Sequence, residues 1–214
     1  MTVIHRRFVG CLGVVLIAAA MSATTGAQVG QGLLDANVAG EKDLLALPGL
    51  TPAVVTQLLA RRPFASVIEL NTFLLAQKLT QAQANEIYKT AFIHVNLNTG
   101  TRDEILLIPG AGTRMAREFD EYRPWRNWAH FDKEIGKYVG QDEVNRLKKY
   151  VFIPVNLNTA SDQDILSIPG AGQRMVREFK EYRPWKAKAQ FEKEIGKYVG
   201  AAEVARLWRY VTIQ

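Results

Sequence analysis

The chain holds one cysteine in 214 residues, and that one, Cys11, falls in the N-terminal apolar stretch. A disulfide framework and a thiolate metal site are therefore excluded for the rest of the chain. Past residue 27 no apolar run is long enough to span a bilayer. Catalytic constellations are missing too. His5, His94 and His130 are isolated in sequence, and there is no Ser/His/Asp set, no cysteine nucleophile and no metal-ligand spacing. The acidic pairs Asp103/Glu104 and Asp162/Asp164 sit at expected helix starts, where the helix dipole accounts for them. No enzyme activity, metal or cofactor is expected. Alternation of period two is absent, so strands are not expected. Nor is there an overwhelming charge of one sign. The formal net charge is +6, distributed as +2 over 1–27, 0 over 28–94, +1 over 95–154 and +3 over 155–214. Basicity on that scale does not by itself imply non-specific nucleic-acid binding.

The N-terminus reads as an export signal. His5, Arg6 and Arg7 precede an apolar run over 8–21, and Thr25-Gly26-Ala27 supplies small residues for cleavage before Gln28. The alternative is an uncleaved anchor. Either reading places the mature chain outside the cytoplasm, in a periplasm or at a cell surface.

What the chain has in abundance is repetition. Val95–Ile153 and Val155–Ile213 align without a gap, with 39 of 59 positions identical. A function assigned to one unit should therefore be sought in the other. Each reads as four helices. Thr101-x-x-Glu104 and Ser161-x-x-Asp164 are capping-box patterns, and Ile105, Leu106 and Ile108 give the first helix an apolar side. The turn Pro109-Gly110-Ala111-Gly112, repeated as Pro169-Gly170-Ala171-Gly172, ends that helix. A second helix carries Met115, Phe119 and Tyr122 at helical spacing and stops at Arg123-Pro124. Phe131, Ile135, Tyr138 and Val139 mark a third. After a turn at Gly140 comes a fourth, with Val144, Leu147 and Val151 on one face. Trp125, Trp185, Tyr122 and Tyr182 read as core. Over 28–94 lies a degenerate copy, in which Asp43–Thr51 aligns with Glu104–Gly112 and Arg62-Pro63-Phe64 with Arg123-Pro124-Trp125. Its hairpins carry Thr51 and Leu79-Thr80 where the others have glycine. Residues 28–34 read as a short flexible lead-in. The expected architecture is all-α, with a signal peptide over 1–27 and three units over 28–94, 95–154 and 155–214.

These residues resemble a known family. Val95-Asn96-Leu97-Asn98-Thr99, Ile105–Gly112 and Tyr122-Arg123 are similar to the signature of ComEA-type helix-hairpin-helix proteins, and Val155–Arg183 matches it more closely. The resemblance implies paired helix-hairpin-helix motifs in each unit. It also implies binding of double-stranded DNA without sequence preference, in DNA uptake during natural transformation. This chain departs from the pattern in three respects. Ala111 and Ala171 occupy the middle of the hairpin, Tyr138 and Tyr198 stand in the second hairpins, and there are about three units rather than one.

The candidate DNA-binding residues are Gly110, Ala111, Gly112, Thr113, Arg114 and Arg117, with Gly170, Ala171, Gly172, Gln173, Arg174 and Arg177. Backbone N–H groups at such a turn can converge on one phosphate, the positive helix end adds attraction, and glycine admits close approach. Alternatively the glycines serve only the turn. The arginines lie three apart in a first helical turn, where cations are disfavoured unless an anion is near. Their alternative is pairing of Arg114 with Glu118 and Arg117 with Glu121. Gly110-x-Gly112 also begins like a dinucleotide fingerprint, but it lacks the third glycine and follows no strand. Lys133, Lys137, Arg146, Lys148, Lys149 and their counterparts read mostly as a solvated mixed face. Trp128 and Trp208, which have no counterparts in the other repeat, mark either an exposed partner surface or cover for a neighbouring unit. The reading that competes with a DNA partner is an envelope scaffold that binds proteins.

Overall fold

The computed structural model describes residues 29–213; the expected export segment lies outside them. Among the described residues, twelve helices carry the fold, and no helix is long and apolar enough to cross a membrane. The first unit runs β1 (Leu34–Asp35), α1 (Glu41–Leu45), α2 (Pro52–Arg61), α3 (Val67–Ala76), α4 (Gln81–Tyr88) and β2 (Ala91–Phe92). The second runs β3 (Val95–Asn96), α5 (Arg102–Leu106), α6 (Thr113–Glu121), α7 (Trp128–Ile135), α8 (Gln141–Lys148) and β4 (Val151–Phe152). In the third follow β5 (Val155–Asn156), α9 (Asp162–Ser167), α10 (Gln173–Glu181), α11 (Lys188–Ile195), α12 (Ala201–Trp208) and β6 (Val211–Thr212). Within each unit the helices pack as sequential pairs.

The strands correct the sequence expectation. Each unit is closed by its own first and last strands, which pair in parallel: Leu34 with Ala91, Val95 with Val151 and Val155 with Val211. Two residues are too few to show alternation, and the partners lie more than fifty residues apart, so no local pattern announces them. Val151, expected on the last helix, belongs to β4 instead. Leu106 is exposed; Ile105 is the buried residue of α5, and Ile108, also buried, lies just past its end.

Local chemistry explains the helices. Thr101 and Ser161 form the expected capping boxes with Glu104 and Asp164, each worth about 1 kcal/mol to a helix start. Trp125 and Trp185 are almost wholly buried, and one clamp fixes them both. The Asn98 side chain donates to the Trp125 carbonyl (3.0 Å) and accepts from the Trp125 N–H (2.6 Å). Asn158 does the same for Trp185, and Asn37 for Phe64. Arg123 and Arg183 then tie the preceding turn by donating to the carbonyls of Leu97 and Gly100 and of Leu157 and Ala160. The Asn-x-Asn and Tyr-Arg-Pro-Trp segments are therefore one structural device. An Arg–Pro peptide is cis at the same place in all three units.

Trp128 and Trp208 are half-buried and lie over Phe131 and Phe191 of their own units, at 5.7 and 5.2 Å between ring centroids. The tryptophan and its cation have exchanged places between the repeats. Lys148 on α8 faces Trp128 on α7, whereas Lys188 on α11 faces Trp208 on α12. In both cases the lysine also pairs with an acid on α7 or its counterpart, Asp132 or Glu192.

Candidate nucleic-acid interface

The two glycines of each first hairpin are there for different reasons. Gly110 and Gly170 have φ of +78° and +75°, a left-handed conformation that costs other residues about 1–2 kcal/mol. The turn itself demands them. Ala111 closes that turn by donating its N–H to the Ile108 carbonyl (2.9 Å), as Ala171 does to Ile168, and both alanine side chains are buried. Those two candidates are spent inside the hairpin. Gly112 and Gly172 have ordinary φ near −100°, and a Cβ at either would meet nothing within 4 Å. Neither dihedral nor packing demands glycine there.

Gly112 and Gly172 are the N-caps of α6 and α10, and no side chain caps either helix. Gly140 and Gly200 cap α8 and α12 in the same way, again with nothing within 4 Å of a Cβ and no capping side chain. The second hairpins thus present helix starts as open as the first, despite Tyr138 and Tyr198. The first unit differs at both places. Thr51 caps α2 through the Val54 N–H, and Thr80 caps α4 in a full capping box with Gln83. One unit therefore satisfies its post-hairpin N–H groups with its own hydroxyls, and two units leave four such starts to solvent or a ligand.

The flanking side chains follow the same division. Thr113, Arg114 and Arg117 are exposed on α6, as are Gln173, Arg174 and Arg177 on α10. The Arg114 guanidinium lies over the Tyr138 ring at 5.0 Å, and Arg174 over Tyr198 at 4.7 Å. Arg114 belongs to the first turn of α6 and Tyr138 stands two residues before the Gly140 cap, so the two open starts of a unit are neighbours. Arg117 pairs with Glu118 at 2.8 Å rather than with Glu121, and Arg177 with Glu178. Neither of the two pairs that formed the alternative reading, Arg114 with Glu118 or Arg117 with Glu121, is an ion pair here. Glu118 is buried, and its hydrogen bond from Arg117 holds its carboxyl below the usual carboxylate range. Tyr122 and Tyr138 share a hydrogen bond between their hydroxyls (2.7 Å), as do Tyr182 and Tyr198 (2.8 Å); Tyr122 and Tyr182 are half-buried and pack against the edge of the core. That bond pushes the titration of Tyr138 and Tyr198 up. Lys137 lies over Tyr122 and pairs with Glu134, with Lys197 and Glu194 alike.

Sequence reading missed this Arg–Glu–Tyr–Tyr–Lys network, and a comparison of the units would have found it. On the alignment of the hairpins, Arg114, Arg117 and Glu118 correspond to Ala53, Thr56 and Gln57. The network is present where the helix starts are open and absent where threonine closes them. Arg146 and Arg206 depart from the expected solvated face. Each makes a bidentate pair with Glu143 or Glu203 behind its own first hairpin, and Arg206 is buried. Among the described residues no cluster of side chains could hold a metal ion. No protein-family model, no curated protein and no solved structure matches the chain.

Proposed function

We propose that this chain is an exported protein of ComEA-like, helix-hairpin-helix type that binds double-stranded DNA through its phosphates, without sequence preference. The observation that carries the reading is the contrast at the helices that follow the hairpins: four glycine-capped open starts in the second and third units, and two threonine-capped starts in the first. An open start offers backbone N–H groups and the positive end of a helix to an anion. Exposed Arg114, Arg117, Arg174 and Arg177 add charge beside them. Paired starts within a unit suit phosphates on the two strands across a groove, and contacts of that kind position a protein without reading bases. DNA uptake is the process that the family resemblance suggests, and the basic and apolar segment over 5–27 supports export.

The test is fluorescence anisotropy of the chain with labelled duplexes of unrelated sequence, at several salt concentrations. Binding at micromolar concentration or tighter, equal across sequences and falling steeply with salt, is the expected result. The slope of log K against log salt reports about 0.9 per phosphate engaged. Absence of binding at low salt refutes the reading and leaves the envelope scaffold, for which the closed starts of the first unit speak.

A further inference from the structure

We infer that the first unit is an internal brace, which has given up anion binding to hold the second and third units in one fixed relative placement. The inference rests on the DNA-binding reading only for what the brace is for. The contacts that make it are independent of that reading.

The first unit touches both neighbours. One contact, Phe92 on Tyr150, recurs between the second and third units as Phe152 on Tyr210; the others use residues that the repeats do not share. Its N-terminal residues are not the loose lead-in expected from sequence. Val29 is buried and forms an antiparallel bridge with Phe152, and it donates its N–H to the Ser167 hydroxyl (3.3 Å). Gly30 donates to the Val151 carbonyl (3.1 Å) and lies so close to the second unit that a Cβ would stand 1.8 Å from the Lys148 carbonyl oxygen. These two residues straddle the junction where the second unit hands over to the third. Phe92 packs edge-on against Tyr150, and the hydrophobic cores of the first two units are continuous. On the other side Val38 packs against the Gly170 hairpin.

The seam between the first and third units is closed by a substitution at a repeated position. Asn96 and Asn156 each use Oδ1 to accept the N–H two residues on, at 2.8 and 2.9 Å. Asp35 stands at the same place and makes the same bond through Oδ1 (2.8 Å to the Asn37 N–H). Its second oxygen, which an asparagine would replace with a donor NH₂, accepts from the Tyr210 hydroxyl (2.8 Å) and faces His94 Nδ1 (3.3 Å). Arg209 donates to the His94 carbonyl across the same seam. Asp35, His94 and Tyr210 are all buried. One atom of one side chain thus turns a local turn residue into a tie between units, joining residues 175 positions apart. Fixed placement matters because a second binding unit adds affinity in proportion to how well its position is set beforehand.

The experiment uses the full chain with Cys11→Ser and spin labels at Asn145→Cys and Ala205→Cys, exposed positions in the second and third units. The expected distance distribution is narrow. Asp35→Asn, which preserves the local turn, and Gly30→Leu, which wedges the junction, should both broaden it while circular dichroism stays unchanged. The same variants should bind a thirty-base-pair duplex about tenfold more weakly and a ten-base-pair duplex unchanged. A distribution as narrow as the parent's in both variants overturns the brace, and broadening with unaltered long-duplex affinity overturns its role in binding. If the parent binds no duplex, the DNA reading fails, and the label distances still decide whether the first unit is a brace.

Discussion

Replacing Gly112 and Gly172 by aspartate should separate binding from folding. At both positions φ is ordinary and the space for a side chain is empty, so neither strain nor a clash opposes the change. Aspartate is a better N-cap than glycine by a few tenths of a kcal/mol, and a negative charge at a helix start contributes about 0.3–1 kcal/mol more. The double variant should therefore be as stable as the parent or up to about 2 kcal/mol more stable. Binding should move the other way. Each carboxylate takes the N–H groups offered to a phosphate and repels the phosphate itself. A hydrogen bond to a charged group is worth about 1.5–3 kcal/mol, so two lost contacts cost about 3–6 kcal/mol, at least about a hundredfold in Kd. The salt slope should fall by about two. Thermal unfolding and anisotropy titrations measure both arms. Unchanged affinity, or a marked loss of stability, refutes the assignment of these glycines to a ligand. Gly110→Ala is the contrasting control. Its left-handed φ should cost about 1–2 kcal/mol of stability.

Asn98→Ala removes both bonds of the clamp on Trp125 and leaves a backbone N–H without its partner. A loss of about 2–3 kcal/mol is expected in chemical denaturation, and a loss under 0.5 kcal/mol would show the clamp to be incidental. Trp128→Lys alone should destabilise the second unit, whereas Trp128→Lys with Lys148→Trp recreates the arrangement of the third unit and should recover most of the loss. A double-mutant cycle that yields additive effects would contradict the exchange. Asp35 is pushed up by burial, but its hydrogen bond and charge interaction with His94, together with bonds from Tyr210 and the Asn37 N–H, outweigh this and hold its carboxyl below the usual range. Because the folded value is the lower one, its contribution is present above the unfolded value of about 4 and is lost as pH falls through the folded value. Stability should drop below about pH 4, and Asp35→Asn should flatten that part of the profile; equal acid sensitivity in the variant would contradict the role given to Asp35.

The parts of the molecule that were legible in sequence are those whose partners are close in sequence. The capping boxes at Thr101 and Ser161, the left-handed turns at Gly110 and Gly170, and the burial of Trp125 and Trp185 are set within a few residues or by helical spacing. The closing strands were not legible, since Val95 and Val151 find each other only after four helices have folded between them. Val29 read as a loose lead-in because its partners, Phe152 and Ser167, lie in other units. The candidate site was half legible. The first hairpins carry two adjacent glycine signals, but Gly140 and Gly200 sit beside a tyrosine and a valine, and their openness is evident only once the space around each cap is known. Asp35 carries no motif signal at all, because its role resides in a tyrosine 175 positions away that the sequence gives no reason to place nearby.

The closing of each unit by its own first and last strands has an architectural consequence. The chain leaves a unit beside the point at which it came in, and only Ile153 and Pro154 separate β4 from β5, as only Ile93 and His94 separate β2 from β3. A unit is thus a cassette whose two ends lie side by side. Duplicating a stretch of sixty residues adds a unit without a new linker and without opening a sheet. The near-identity of the second and third units is what such a duplication leaves behind, with no linker beyond the two residues that already separate neighbouring units.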